Sequence, residues 1–136
     1  MSERLEDPLV PISWGELFDK ISILEIKIER LPSESARKNV AAQLAHLRGS
    51  RKVLASSEEL TQLESALKAV NLRLWEIEDE IRALEARKSF GEDFIRTARS
   101  VYINNDERGR IKRAIDALLG SGMAEEKAYT PYNRER

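Results

Sequence analysis

Trp75 is one of two tryptophans in the chain, and polar residues surround it at helical neighbour spacing: Asn71 before it, then Glu78, Asp79 and Arg82 after it. An aromatic face beside an amide, carboxylates and a guanidinium can stack on a ring and hydrogen-bond its edge, which is the chemistry of a small-ligand site. The same pattern arises when a second layer of helices covers the tryptophan, and this packing reading is the favoured one. Leu72 extends the apolar patch and argues for such a cover, either Trp14 and Phe18 or the helices near the C-terminus. A similar mixture stands earlier, in Trp14, Glu16, Phe18, Asp19 and Lys20. Glu16 and Lys20 make an ordinary i,i+4 pair on a solvated face. The sharper expectation is that Asp19 and Lys20 meet Glu78, Asp79 and Arg82 across a bundle. A third group is basic: Arg96, Arg99, Arg108, Arg110, Lys112 and Arg113 stand against Asp106 and Glu107. If a helix starts between them, Arg99 and Arg108 lie near free N–H groups that attract phosphate or carboxylate. The candidate ligand site is therefore Trp14, Asp19, Lys20, Trp75, Glu78, Asp79, Arg82, Arg99 and Tyr102, suited to an anionic small molecule such as a nucleotide, nucleotide-sugar or sugar phosphate.

Catalytic templates fare worse. The chain has no cysteine, and His46 is its one histidine, with no serine elbow pattern near it. Glu76-x-x-Asp79 and Glu58-Glu59 together imitate a magnesium pattern of all-helical nucleotide pyrophosphohydrolases. On one continuous helix the pairs stand roughly 26 Å apart, whereas one Mg²⁺ needs oxygens at about 2.1 Å. No catalytic residue, metal or cofactor is expected, and the chain reads as a non-enzyme. Charge is high but balanced, 23 Lys and Arg against 24 Asp and Glu in 136 residues. Balance argues against a nucleic-acid coat and a polybasic membrane-surface protein. No run of 18 apolar residues spans a membrane, and the N-terminus lacks a signal-length apolar stretch. A cytoplasmic protein is the expectation.

The elements that would position these residues are helical. From Ser57 to Lys88, apolar residues recur at Leu60, Leu63, Leu67, Val70, Leu74, Ile77, Ile81 and Leu84, an unbroken heptad seam. Ser56 with Glu59 reads as its capping box. At roughly 48 Å such a helix overhangs a compact monomer of this length. Before it, Ser13 caps a helix from Trp14 to Leu31 that is apolar on two faces, and Pro32 stops it. A second helix follows over Ser33 to Ala55, with Arg51 where an apolar residue would fit. Ser89-Phe90-Gly91 breaks the long helix, and a fourth covers Glu92 to Asn104. Asn104-Asn105-Asp106 predicts a turn, and Ile111, Ile115 and Leu118 a fifth helix with Gly120 as its C-terminal cap. The fold class is all-α: an elongated bundle with a long central heptad helix and a short C-terminal helical hairpin. Residues 1–12 are expected to be a loose arm, 13–120 the bundle and 121–136 a polar tail.

The run Val10-Pro-Ile-Ser-Trp-Gly-Glu-Leu-Phe-Asp-Lys-Ile-Ser-Ile-Leu-Glu-Ile-Lys27 resembles the opening signature of an uncharacterised bacterial and phage family of small helical proteins. Asn71-Leu-Arg-Leu-Trp-Glu-Ile-Glu-Asp-Glu-Ile-Arg82 resembles its central signature. The run from Phe90-Gly91 through Asn104-Asn105-Asp106 to Glu125-Glu-Lys-Ala-Tyr129 resembles the rest. The resemblance implies an all-helical protein found near, or fused to, proteins that handle surface sugars, and it supplies no catalytic residue. Together these readings favour an interaction or assembly module that self-associates, as a dimer, through helix 57–88. A small-ligand binder or bundle enzyme is the alternative.

Overall fold

The computed structural model describes residues 4–123 and 129–132. Residues 1–3 of the expected arm, and 124–128 and 133–136 of the expected tail, lie outside the described residues. Four helices follow one another: α1 (Trp14–Arg30), α2 (Glu34–Arg51), α3 (Glu58–Ala86) and α4 (Glu92–Leu119). Three begin at serine caps. Ser13 accepts the Glu16 N–H at 3.0 Å, Ser33 the Ala36 N–H at 3.2 Å, and Ser57 the Leu60 N–H at 3.1 Å. The cap of α3 is thus Ser57, one residue later than the expected Ser56. Lys88, at φ 56°, closes the end of α3, and Gly120, at φ 66°, closes α4 in the left-handed conformation that glycine adopts without strain.

The expected C-terminal helical hairpin is overturned: one uninterrupted helix runs from Glu92 to Leu119. Two of the three residues that predict a turn have other partners. Asn104 donates from Nδ2 to the Ser100 carbonyl at 2.8 Å and accepts Arg73 Nε at 3.1 Å, while Asp106 accepts the Tyr132 hydroxyl at 2.5 Å. Asparagine and aspartate each cost a helix interior only a few tenths of a kcal/mol relative to alanine. Contacts to α3 and to the returning chain offset that cost. The anion site expected at the start of a fifth helix therefore has no helix start to form on.

α1 is the sandwiched element, as its two apolar faces predict. Leu17, Ile21 and Leu24 pack on Val40 and Leu44 of α2. Phe18 packs on the other side with Leu60, Leu67 and Val70 of α3 and Ile111 and Ile115 of α4. Each such side chain, fully buried, contributes about 1.5–3 kcal/mol. α3 and α4 run antiparallel, since Arg73 meets Asn104 and Thr97 meets Glu80. α1 lies parallel to α3, its Ser22 reaching Asn71 and its Arg30 reaching Glu76. The Arg51 that interrupts the apolar pattern of α2 lies over the Phe18 ring, 5.3 Å from its centroid, and pairs with Glu64 of α3.

The N-terminus of α1 sits directly on α4. Gly15 donates its N–H to Asp116 Oδ1 at 2.6 Å, and Trp14 donates its backbone N–H to Ser121 Oγ at 3.4 Å. A Cβ on Gly15 would stand 2.3 Å from the Lys112 carbonyl oxygen, so glycine is what permits the approach.

The seam of α3 is unevenly covered. Leu60, Leu67, Val70 and Leu84 are buried, whereas Leu63, Leu74, Ile77 and Ile81 are half-buried. At about 26 Å, α1 is shorter than α3 at roughly 44 Å. α1 ends level with Glu76, so the far end of the α3–α4 pair is a two-helix hairpin. Exposed there are Phe90 and Ile95, the latter 56% accessible. Among the described residues, no helix is long and apolar enough to cross a membrane.

Candidate functional site

Asp19 is the centre of the polar architecture. Placed on α1 between the two apolar faces, its side chain is 1% exposed. Arg108 of α4 donates Nε to Oδ1 at 2.9 Å and Nη2 to Oδ2, a bidentate fork. Asn71 of α3 donates Nδ2 to the same Oδ1 at 2.8 Å and to Ser22 Oγ at 2.7 Å. Ser22 in turn donates to the Asp19 carbonyl at 2.8 Å. Lys112, also buried, pairs with Glu16 at 2.8 Å and stands 3.9 Å from Asp19. Glu16 and Asp19 thus balance Arg108 and Lys112, and the network ties α1, α3 and α4 together. Burial pushes the Asp19 carboxyl up, but hydrogen bonds from Arg108 and Asn71, with the charges of Arg108 and Lys112, outweigh it and hold it below 3.8.

A cleft of about 280 Å³ opens beside this network, between α1, α3 and α4. Ile23, Ile26, Leu74 and Val101 form its apolar walls, and Trp75, Asn71, Glu78, Asn105 and Arg108 add an indole and polar groups. Helical periodicity explains the convergence: Asn71, Trp75 and Glu78 lie on one face of α3, and Val101, Asn105 and Arg108 on one face of α4. Trp75 is half-buried, against the second half of α1 and the middle of α4. Trp14 and Phe18 lie instead near Leu60 and Leu67, because α1 runs parallel to α3 and starts level with its beginning.

Of the nine expected site residues, Trp75 and Glu78 line the cleft, and Asp19 lies behind it through Asn71 and Arg108. Arg82 pairs with Glu78 at 2.8 Å on the surface, and Asp79 is exposed beside it. Lys20 reaches Glu16 at 3.7 Å, so the expected meeting of Asp19 and Lys20 with Glu78, Asp79 and Arg82 is replaced by Asp19 with Asn71, Arg108 and Lys112. Arg99 is exposed, and Tyr102 packs edge-on to Tyr132 with ring centroids 5.2 Å apart. Trp14 half-covers the two core clusters at the opposite end of α1. Asn105 was hidden by the turn signal, Arg108 was expected at a helix start rather than on Asp19, and Lys112 stood in a run of surface-like charges. Among the described residues, no group of three or more His, Asp or Glu side chains is placed to hold a metal ion.

Neither the curated proteins nor the solved structures contain a significant match to the chain. A family model does match, over residues 9–134, and the chain belongs to that family, a family of unknown function (DUF6165).

Proposed function

We propose that the chain is a non-catalytic helical module that works by association, first with a second copy of itself through the far end of the α3–α4 hairpin. The observation that carries this reading is the half-covered seam: Ile77 and Ile81 keep accessible surface beyond the end of α1, with Ile95 and Phe90 exposed on the same hairpin. A second hairpin laid against this one would remove that apolar surface from water. A cytoplasmic setting, together with a partner from a surface-polysaccharide or glycan pathway of the kind the resemblance implies, completes the proposal, with residues 13–120 as the working unit. Sedimentation at tens of micromolar tests it, with the expected result a reversible dimer.

A second reading is favoured by the cleft at Trp75, whose mixture of apolar walls and a few polar groups suits a small ligand. A thermal-shift screen with nucleotides, nucleotide-sugars and sugar phosphates tests it, since a ligand at 100 times its Kd stabilises by about 2.7 kcal/mol.

A further inference from the structure

We propose that the cleft at Trp75 takes the base end of a nucleoside-type ligand, an uncharged planar heteroaromatic ring with donors and acceptors on its edge. The proposal rests on the small-ligand reading of the cleft and narrows it. Three neutral hydrogen-bonding groups in the lining have no protein partner among the described residues: the Trp75 indole N–H, the Asn105 side-chain amide and Asn71 Oδ1. The orientation of Asn71 is fixed by chemistry, because Asp19 as a carboxylate can only accept, so Nδ2 faces inward. Asn105 carries donor and acceptor together, the arrangement that pairs with a base edge. An indole face is the platform on which planar bases stack.

The charges of the lining point the same way. Arg108 gives Nε and Nη2 to the buried Asp19, and Glu78 is paired with Arg82. A phosphate entering the cleft would have to share Arg108 with Asp19 and would meet the Glu78 carboxylate. A neutral ring displaces neither pair. Ribose and any phosphate therefore lie at the open mouth and add little to affinity.

The test uses the full chain carrying Trp14→Phe, which leaves Trp75 as the one indole. It is titrated with adenosine, guanosine, cytidine and uridine, their 5′-monophosphates, glucose and glucose 6-phosphate. Fluorescence quenching and the NMR shift of the indole N–H are followed. At least one nucleoside is expected to saturate and to shift that resonance, with its monophosphate binding within about threefold, less than the tenfold of a single charge-assisted contact. Asn105→Leu should weaken the nucleoside by about tenfold, the loss of one hydrogen bond, with an unchanged melting curve. Binding of monophosphates or of the sugars without nucleosides would overturn the base-end assignment and leave the small-ligand reading standing. Nucleoside binding that leaves the indole resonance in place, or that Asn105→Leu does not weaken, would also overturn it. No binding by any compound at millimolar concentration would overturn both.

Discussion

Replacing Asp19 by alanine removes the acceptor that α3 and α4 share on α1. In the wild type its carboxylate takes Arg108 Nε at 2.9 Å, Arg108 Nη2, and Asn71 Nδ2 at 2.8 Å. The variant takes the carboxylate away from Arg108 and from beside Lys112, whose side chain is 6% exposed. Breaking one partner of a buried pair costs about 3–5 kcal/mol. Arg108 can turn toward water, its side chain being 29% exposed, so the lower end applies, about 3 kcal/mol. For a chain of this length that is a fall in Tm of about 10–15 °C. Thermal unfolding followed by circular dichroism reads it directly. The double variant Asp19→Leu with Arg108→Met should recover much of the loss, because it removes both charges while Lys112 keeps Glu16. The pH dependence has a definite sign. Because the folded Asp19 titrates below 3.8, its contribution is fully present above that value and is lost as pH falls through the lower folded value. The Tm gap between wild type and Asp19→Asn should hold from pH 7 to pH 5 and narrow below about pH 4. A loss under about 1 kcal/mol for Asp19→Ala, or a gap that widens in acid, would refute the reasoning.

Three further outcomes follow from the packing. Gly15→Ala should destabilise by at least about 1–3 kcal/mol, seen in urea unfolding, since its Cβ would meet the Lys112 carbonyl oxygen at 2.3 Å. Leu67→Ala, at a fully buried position, should cost about 2–5 kcal/mol by the same measurement. Trp75→Phe should lower Tm by only a few degrees, because the indole is half-buried and its N–H has no partner among the described residues.

Helix positions were legible wherever caps and periodicity agreed. Ser13, Pro32 and the apolar spacing of α1 gave its ends and its two faces, because each signal acts within one turn. Asn104-Asn105-Asp106 misled for the opposite reason: local turn preference is weak, and here contacts to Arg73 and Tyr132, distant in sequence, decide the backbone. The site was half legible. Trp75 with Asn71 and Glu78 lies on one face of one helix, so spacing alone groups them. Arg108 reaches Asp19 across 89 positions of chain, and nothing local in either segment names the other. Lys112 looked like one more surface charge, yet packing against α1 buries it beside Glu16.

Association is tested most directly by sedimentation velocity on the wild type and on Ile95→Glu across a concentration series reaching tens of micromolar. Ile95 is exposed in the single chain, so a charge there leaves the bundle's own packing untouched. The account predicts a wild-type dimer and an Ile95→Glu variant that melts like the wild type but stays monomeric or dimerises far more weakly. A wild-type chain that remains strictly monomeric throughout the series, or a dimer that Ile95→Glu leaves unchanged, would contradict it.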